Sequence, residues 1–270
     1  MSQTKERLDI LLVNNGMFPS REKARASIMA GQIFIDGQRV DKAGEKVPTS
    51  SSIEIKGEVM PYVSRGGLKL EKAIKNFDLN LNALTCFDIG ASTGGFTDCM
   101  LQNGAQKVIA IDVGYGQFAW KLRTDPRVLC LERTNVRYVT YEQIGEYGDF
   151  ASIDVSFISL KKVIPPVVNL LKNEGKVVAL IKPQFEAGRD KVGKKGVVKD
   201  PLTHKEVIYG IINFIIEQKL NILNLDFSPI RGPEGNIEYL VFFSKDMSLN
   251  CTFDLKNIDK IVEMAHGKLT

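Results

Sequence analysis

Two short apolar runs end in opposite charges, Asp154 in Ser152-Ile153-Asp154-Val155-Ser156-Phe157 and Lys182 in Leu180-Ile181-Lys182-Pro183-Gln184-Phe185. Such runs read as strands buried on both faces of a parallel sheet. A charge at the end of a buried strand is costly to desolvate unless it is paired. A structural ion pair would meet that cost. Ligands in open α/β sheets bind at the carboxyl ends of the strands, so the preferred reading places both side chains in one functional crevice.

A third stretch points into the same crevice. The apolar run 84–89 ends in Gly90-x-x-x-Gly94-Gly95, and a helical pattern follows from Phe96 to Asn103. Glycines let a backbone approach a ligand, and a helix N-terminus presents free N–H groups to it. The loop lacks Gly-Lys-Ser/Thr, which argues against a kinase, and it is not G-x-G-x-x-G. Asp112 ends the next strand about 20 residues on, where a carboxylate meets ribose hydroxyls in both NAD and S-adenosylmethionine folds. Asp88, just before the loop, favours S-adenosylmethionine, because an acid there can contact the ligand's amino group. The expected cofactor contacts are Asp88, Gly90, Ala91, Ser92, Thr93, Gly94, Gly95 and Phe96 around the methionine end, with Asp112 and Val113 at the ribose and Asn135 near the adenine.

The elements that must position these residues follow from periodicity. Strands are expected at 84–89, 107–112, 128–131, 150–154 and 176–181, with helices between them, the clearest at 160–172 and 205–220. The runs 222–227 and 237–243 follow without an intervening helix, so that pair is expected to be antiparallel. Five β/α units and a terminal hairpin suit a methyltransferase better than an NAD-binding fold, which more often continues with helical crossovers. A helix from Leu68 carries Leu70, Ala73, Ile74 and Phe77 on one face, and its lysines, Lys69, Lys72 and Lys75, each read singly as solvated.

Ahead of this lies a small α+β pattern. A short helix runs from Leu8 toward Gly16, and a second is capped by Ser20 and continues to Gly31. A strand at 32–35, an Asp36-Gly37 turn and a return through Val40 read as a hairpin, with a further strand at 53–55. A basic cluster, Arg21, Lys23 and Arg25, sits early in the second helix, although acids and bases nearly balance over this region.

At 270 residues, 44% hydrophobic and 25% charged, the chain reads as an ordinary soluble globular protein, and its net charge of +4 permits an acidic partner. No apolar run approaches the roughly 20 residues of a membrane span, and no secretory signal is apparent, so the cytoplasm is the expected compartment. Cys86, Cys99, Cys130 and Cys251 form no C-x-x-C pair and read as free buried thiols. His204 and His266 are the only histidines, and no metal site is expected.

The motifs also resemble known families. Arg7-Leu8-Asp9-x-Leu11-Leu12-Val13-x-x-Gly16, Ser20-Arg21-x-x-Ala24 and Ile28-x-x-Gly31-x-Ile33-x-Ile35-x-Gly37 resemble an S4 RNA-binding domain. The resemblance implies phosphate contacts at Arg21, Lys23 and Arg25, and Arg7 and Arg65 are also expected to bind RNA. The larger part is similar to FtsJ-type ribose 2′-O-methyltransferases, whose Lys-Asp-Lys-Glu tetrad would be Lys69, Asp154, Lys182 and Glu238. The combination, with Ser64-Arg65-Gly66-Gly67-x-Lys69 and Lys182-Pro183-Gln184-Phe185-Glu186, resembles the TlyA or hemolysin A family.

That resemblance implies a Rossmann-like S-adenosylmethionine-dependent methyltransferase domain with a seven-stranded, mostly parallel sheet whose last strand is antiparallel. The expected bounds are 1–58 for the S4-like domain, 59–67 for a linker, 68–246 for the methyltransferase domain and 247–270 for a tail with a short amphipathic helix at 258–265. The expected activity is ribose 2′-O-methylation of ribosomal RNA, with S-adenosyl-L-methionine as cofactor and ribosomal subunits as partners. Whether Lys182 acts as base or only orients the hydroxyl stays open. The rivals are a non-catalytic ribosome-assembly factor, a cytolysin and a small-molecule methyltransferase. A glycine-containing segment after Lys182, with Arg189, Lys191, Lys194, Lys195 and Lys199, is expected to be a mobile clamp on RNA phosphates.

Overall fold

The computed structural model describes residues 4–56, 60–232, 234–249 and 253–269, in two compact units, Met1–Gly67 and Leu68–Thr270. Cys251 and parts of the expected linker and tail lie outside the described residues.

The first unit contains β1 (Lys5–Arg7), α1 (Leu8–Asn14), α2 (Arg21–Met29), β2 (Ile33–Ile35), β3 (Gln38–Arg39), β4 (Lys46–Pro48) and β5 (Ile53–Ile55). Leu8, Leu12, Ala24, Ile28 and Ile33 form its core. Ser20 caps α2, its Oγ accepting from the Lys23 N–H at 3.3 Å, one of the orphan donors of a helix start. Asp36 and Gly37 both adopt positive φ, 49° and 80°, the conformation a tight hairpin turn requires. β1 pairs antiparallel with β4. The pair is too short to leave a periodic signal in the sequence.

The second unit begins within α3 (Gly66–Asn76) and continues through β6 (Thr85–Ile89), α4 (Gly95–Gln102), β7 (Lys107–Ile111), α5 (Trp120–Arg123) and β8 (Val128–Leu131). After α6 (Tyr141–Ile144) come β9 (Gly148–Ile153), α7 (Ile164–Asn169), β10 (Leu171–Ile181) and α8 (Pro183–Glu186). α9 (Pro201–Glu217), β11 (Asn221–Phe227), β12 (Tyr239–Ser244) and α10 (Asn257–Leu269) complete it. Seven strands form one sheet in the order β11-β12-β10-β9-β6-β7-β8. Only β12 runs against the others, antiparallel to both β10 and β11. From β6 the chain builds outward through β7 and β8, then returns to place β9 on the other side. The β6–β9 junction is therefore the switch point where such sheets open a crevice.

Two expectations about helix bounds are corrected. The helix expected over 160–172 is a one-turn 3-10 segment, Leu160–Lys162, then α7, and β10 already begins at Leu171. Pro165 and Pro166 lack N–H donors and clash inside a helix, so they fit only its first turn. α9 starts at Pro201, not 205, because Asp200 caps it, accepting from the Leu202 and Thr203 N–H groups. The amphipathic helix expected at 258–265 is present as the longer α10, and its Ile258, Val262 and Ala265 belong to the main core.

Cys86 and Cys99 are buried free thiols, whereas Cys130, on the edge strand β8, is only partly buried. Among the described residues no helix is long and apolar enough to cross a membrane.

Candidate active site

Asp154 directly follows β9 and Lys182 directly follows β10, so the parallel pairing of those strands brings both side chains to one sheet end. The Asp154 N–H extends the ladder by donating to the Ile89 carbonyl at 2.9 Å, which joins Asp154 to the start of the glycine loop. Lys182 Nζ lies 2.5 Å from Asp154 Oδ1 and donates to Ser156 Oγ at 3.1 Å.

A second lysine completes the group. Lys69 Nζ donates to Glu238 Oε2 at 2.6 Å and lies 3.6 Å from Asp154 Oδ2. α3 holds Lys69 there through Leu70 and Ala73 in the core, and through Lys72, which donates to the Phe227 carbonyl at 2.6 Å and pairs with Asp226. Lys69 and Lys72 are thus anchored, which corrects the reading of Lys72 as a solvated residue. The residues joined here are 169 positions apart in the chain.

Lys69, Lys182 and Glu238 are all more than nine-tenths buried. Two lysines and two acids leave the cluster formally neutral, the condition under which buried charges persist. Burial pulls Lys69 toward its neutral form, but Asp154 and Glu238 outweigh that and hold its pKa above the ordinary lysine value. Burial likewise disfavours the Asp154 carboxylate, and Lys69 and Lys182 more than offset it, holding it below the usual carboxylate range. Lys69 and Asp154 therefore stay charged at neutral pH.

Beside this group lies a cavity of about 460 Å³, lined by Gly90, Ser92, Asp112, Val113, Asn135 and Asp154, within the size range of cofactor sites. Gly90 has φ +85°, and a Cβ there would meet the Asp154 carbonyl oxygen at 2.5 Å, so only glycine lets the loop pass so close to the acid. Asp112 shapes the opposite wall, accepting from the Ser92 N–H at 2.7 Å and the Gly114 N–H at 2.6 Å. Val113 stands 71% exposed at the wall, an uncovered apolar surface of the kind a flat ring system covers. These features fit an S-adenosylmethionine-sized ligand.

Several expected cofactor contacts are not in that wall. Asp88 is fully enclosed, and its carboxylate accepts from the Thr97 N–H at 2.9 Å and the Thr97 hydroxyl at 2.6 Å, bracing the start of α4. Burial pushes its pKa up to about 7. Ala91, Thr93, Gly94, Gly95 and Phe96 also lie outside the lining, and after the turn at Gly94, φ +95°, Gly95 and Phe96 are buried in α4. A Cβ on Gly94 would meet Leu122 and Phe118, not the cavity. The sequence reading missed Gln117, Thr134 and Ser156, which do line it. Ser156 alone carried a signal, its position two residues after Asp154.

The expected RNA contacts divide. Arg7 and Arg21 bind the buried Asp9 carboxylate at 3.0 and 2.8 Å, so both serve the S4-like core in addition to any surface role. Their pairing holds Asp9 at a pKa of about 2. Lys23 is partly exposed, and Arg25 and Arg65 are exposed. The basic segment after Lys182 is anchored at Gly196 and Val198. Asn236 ties it down, accepting from the Val198 N–H at 3.0 Å and donating to the Gly196 carbonyl at 2.9 Å. Lys191 pairs with Glu206, while Arg189, Lys194 and Lys195 stay exposed.

The sequence matches the S4 domain family over residues 6–53 and the FtsJ-like methyltransferase family over residues 62–245. It is 41% identical to "16S/23S rRNA (cytidine-2'-O)-methyltransferase TlyA" of Mycobacterium tuberculosis, over 88% of this chain and 89% of that protein. This chain belongs to the TlyA family. It is 51% identical to the Bacillus subtilis protein named "Putative rRNA methyltransferase YqxC", over 89% of this chain and 86% of that one. A solved structure from Streptococcus thermophilus, which carries a provisional hemolysin designation, superposes with a TM-score of 0.78 at 45% identity, covering 99% of this chain and 98% of that one. As a TlyA-family member with an FtsJ-like domain, the protein is a methyltransferase enzyme.

Proposed function

We propose that this protein transfers the methyl group of S-adenosylmethionine to a ribose 2′-hydroxyl of ribosomal RNA, with Lys69, Asp154, Lys182 and Glu238 as the catalytic tetrad. The observation that carries the reading is the neutral, buried lysine–acid cluster that touches the wall of a nucleotide-sized cavity at the sheet's switch point. The names of the relatives supply the RNA, and the S4 match agrees with it.

S-adenosylmethionine, when bound, supplies an electrophilic methyl group. Gly90, Ser92, Asp112, Val113 and Asn135 are the residues that would hold it. A ribose hydroxyl is a weak nucleophile, so the protein's task is to align it and help remove its proton, and alignment alone supplies much of the rate. Lys182 carries that role. Lys69, held cationic by two acids, cannot accept a proton, and it acts by fixing Asp154 and Glu238. Arg25, Lys23 and Arg65, with Arg189, Lys194 and Lys195, supply phosphate contacts that position the RNA without reading its sequence.

Lys182→Ala tests the assignment. Methyl transfer to ribosomal RNA should fall to background while S-adenosylmethionine binding, measured by calorimetry, stays within a few-fold of wild type. Substantial residual turnover would overturn it.

A further inference from the structure

Two segments at the tetrad are joined more tightly than the tetrad requires. Ser156 lies two residues beyond Asp154, so both side chains reach Lys182 from one loop. Glu186, four residues beyond Lys182, reaches back to that loop, accepting from the Ser159 hydroxyl and from the Leu160 N–H, each at 2.7 Å. The rings of Phe157 and Phe185 meet between these ties with centroids 5.0 Å apart. Loop 154–160 and segment 182–186 therefore form one stitched unit, and each end of the stitch is a polar contact.

Ser156 differs from the other partners of Lys182. Asp154 is a charged, largely enclosed acid, whereas Ser156 is exposed and lines the cofactor cavity. A hydroxyl both accepts and donates, so it can take a proton from the lysine as it gives its own to water. Neither the carboxylate of Asp154 nor the ring of Phe185 can do both.

We propose that Ser156 is a positioning residue for Lys182 that also conducts its proton to solvent, with Glu186 holding the loop on which Ser156 stands. The inference rests on the reading that Lys182 faces the ribose hydroxyl. The proton balance closes from the neutral amine: the hydroxyl proton passes to the lone pair of Lys182 Nζ, the ammonium so formed gives one proton to Ser156 Oγ, and the serine proton leaves to water. One proton moves from ribose to solvent, and both side chains end as they began. The neutral lysine amine that accepts the proton has two N–H bonds and one lone pair. With its N–H bonds directed at Asp154 and Ser156, the lone pair is aimed by those two contacts.

Ser156→Ala, Ser156→Thr and Glu186→Gln in the full-length protein decide the matter. Single-turnover methylation of ribosomal RNA would be followed against pH, with S-adenosylmethionine affinity measured separately. The Nζ resonance of Lys182 would be titrated by NMR in the free protein. Loss of a hydrogen bond to a charged group predicts that Ser156→Ala slows the methylation step by roughly tenfold to a hundredfold. It should also displace the pH profile and the Lys182 titration midpoint together, at saturating cofactor. Ser156→Thr, which keeps the hydroxyl, should restore both, and Glu186→Gln should give a smaller change of the same kind. An unchanged rate in Ser156→Ala, or a slowed rate with an unmoved Lys182 titration, would overturn the proposal. If the wild type methylated no ribose hydroxyl, the enzymatic reading would fail, while the Lys182 titration would still test the coupling to Ser156.

Discussion

Asp88 shows how one residue can change role between sequence and structure. Its place before the glycine loop suggested a ligand contact, but its carboxylate lies inside the core and braces Thr97. A carboxyl whose pKa is raised to about 7 binds its proton more tightly folded than unfolded. It therefore costs nothing below the unfolded value near 4, and its cost grows as pH rises from there toward 7. Over that window it should lower stability by up to about 1.4 kcal/mol per pH unit. Asp88→Asn keeps an acceptor for Thr97 and removes the ionisation. Its chemical denaturation curves, taken between pH 5 and pH 8, should show a flatter stability profile than wild type, and equal slopes would refute the buried-charge account.

Elements decide how close the loop and the acid can come. Gly90 and Gly116 both adopt positive φ, +85° and +76°, yet a Cβ on Gly90 collides with the Asp154 backbone while one on Gly116 meets nothing within 4 Å. Gly116→Ala should therefore show only backbone strain, on the order of 1 kcal/mol in thermal unfolding, and leave cofactor binding intact. Gly90→Ala adds a steric displacement of Asp154 to the same strain, so it should lose both stability and cofactor affinity by calorimetry. Equal behaviour of the two variants would show that the contact between loop and β9 is unimportant. Helix boundaries follow similarly local rules: Asp200-Pro201 starts α9 and Pro165-Pro166 delays α7, and both signals were present in the sequence.

Across the whole molecule the relevant quantity is exposed charge, since net charge is only +4. Arg7, Arg21 and Lys191 are occupied by acids, which leaves Lys23, Arg25, Arg65, Arg189, Lys194 and Lys195 as the stronger candidates for phosphate contacts. Replacing Arg189, Lys194 and Lys195 together with glutamine should weaken ribosomal RNA binding. It should also reduce the slope of log affinity against log salt by about 0.7 to 0.9 for each phosphate that is no longer neutralised. Cofactor affinity should not move, because none of the three lines the cavity. An unchanged slope would remove this segment from the RNA interface.

The sequence alone determined what depends on near neighbours. Buried strands, the Gly90–Gly95 loop, the Ser20 cap and the Asp36-Gly37 turn all arise from backbone sterics and periodicity within a few residues. Asp154 and Lys182 were legible as charges that end buried strands, but Lys69 and Glu238 only through family resemblance, since nothing local links them. The tertiary structure decided which charges meet, which expected ligand contacts are enclosed, and that Ser156 and Glu186 join the site. Those outcomes depend on strand order and on desolvation. A buried charge survives where the fold brings its partner, and in this protein the partner of Lys69 comes from the far end of the chain.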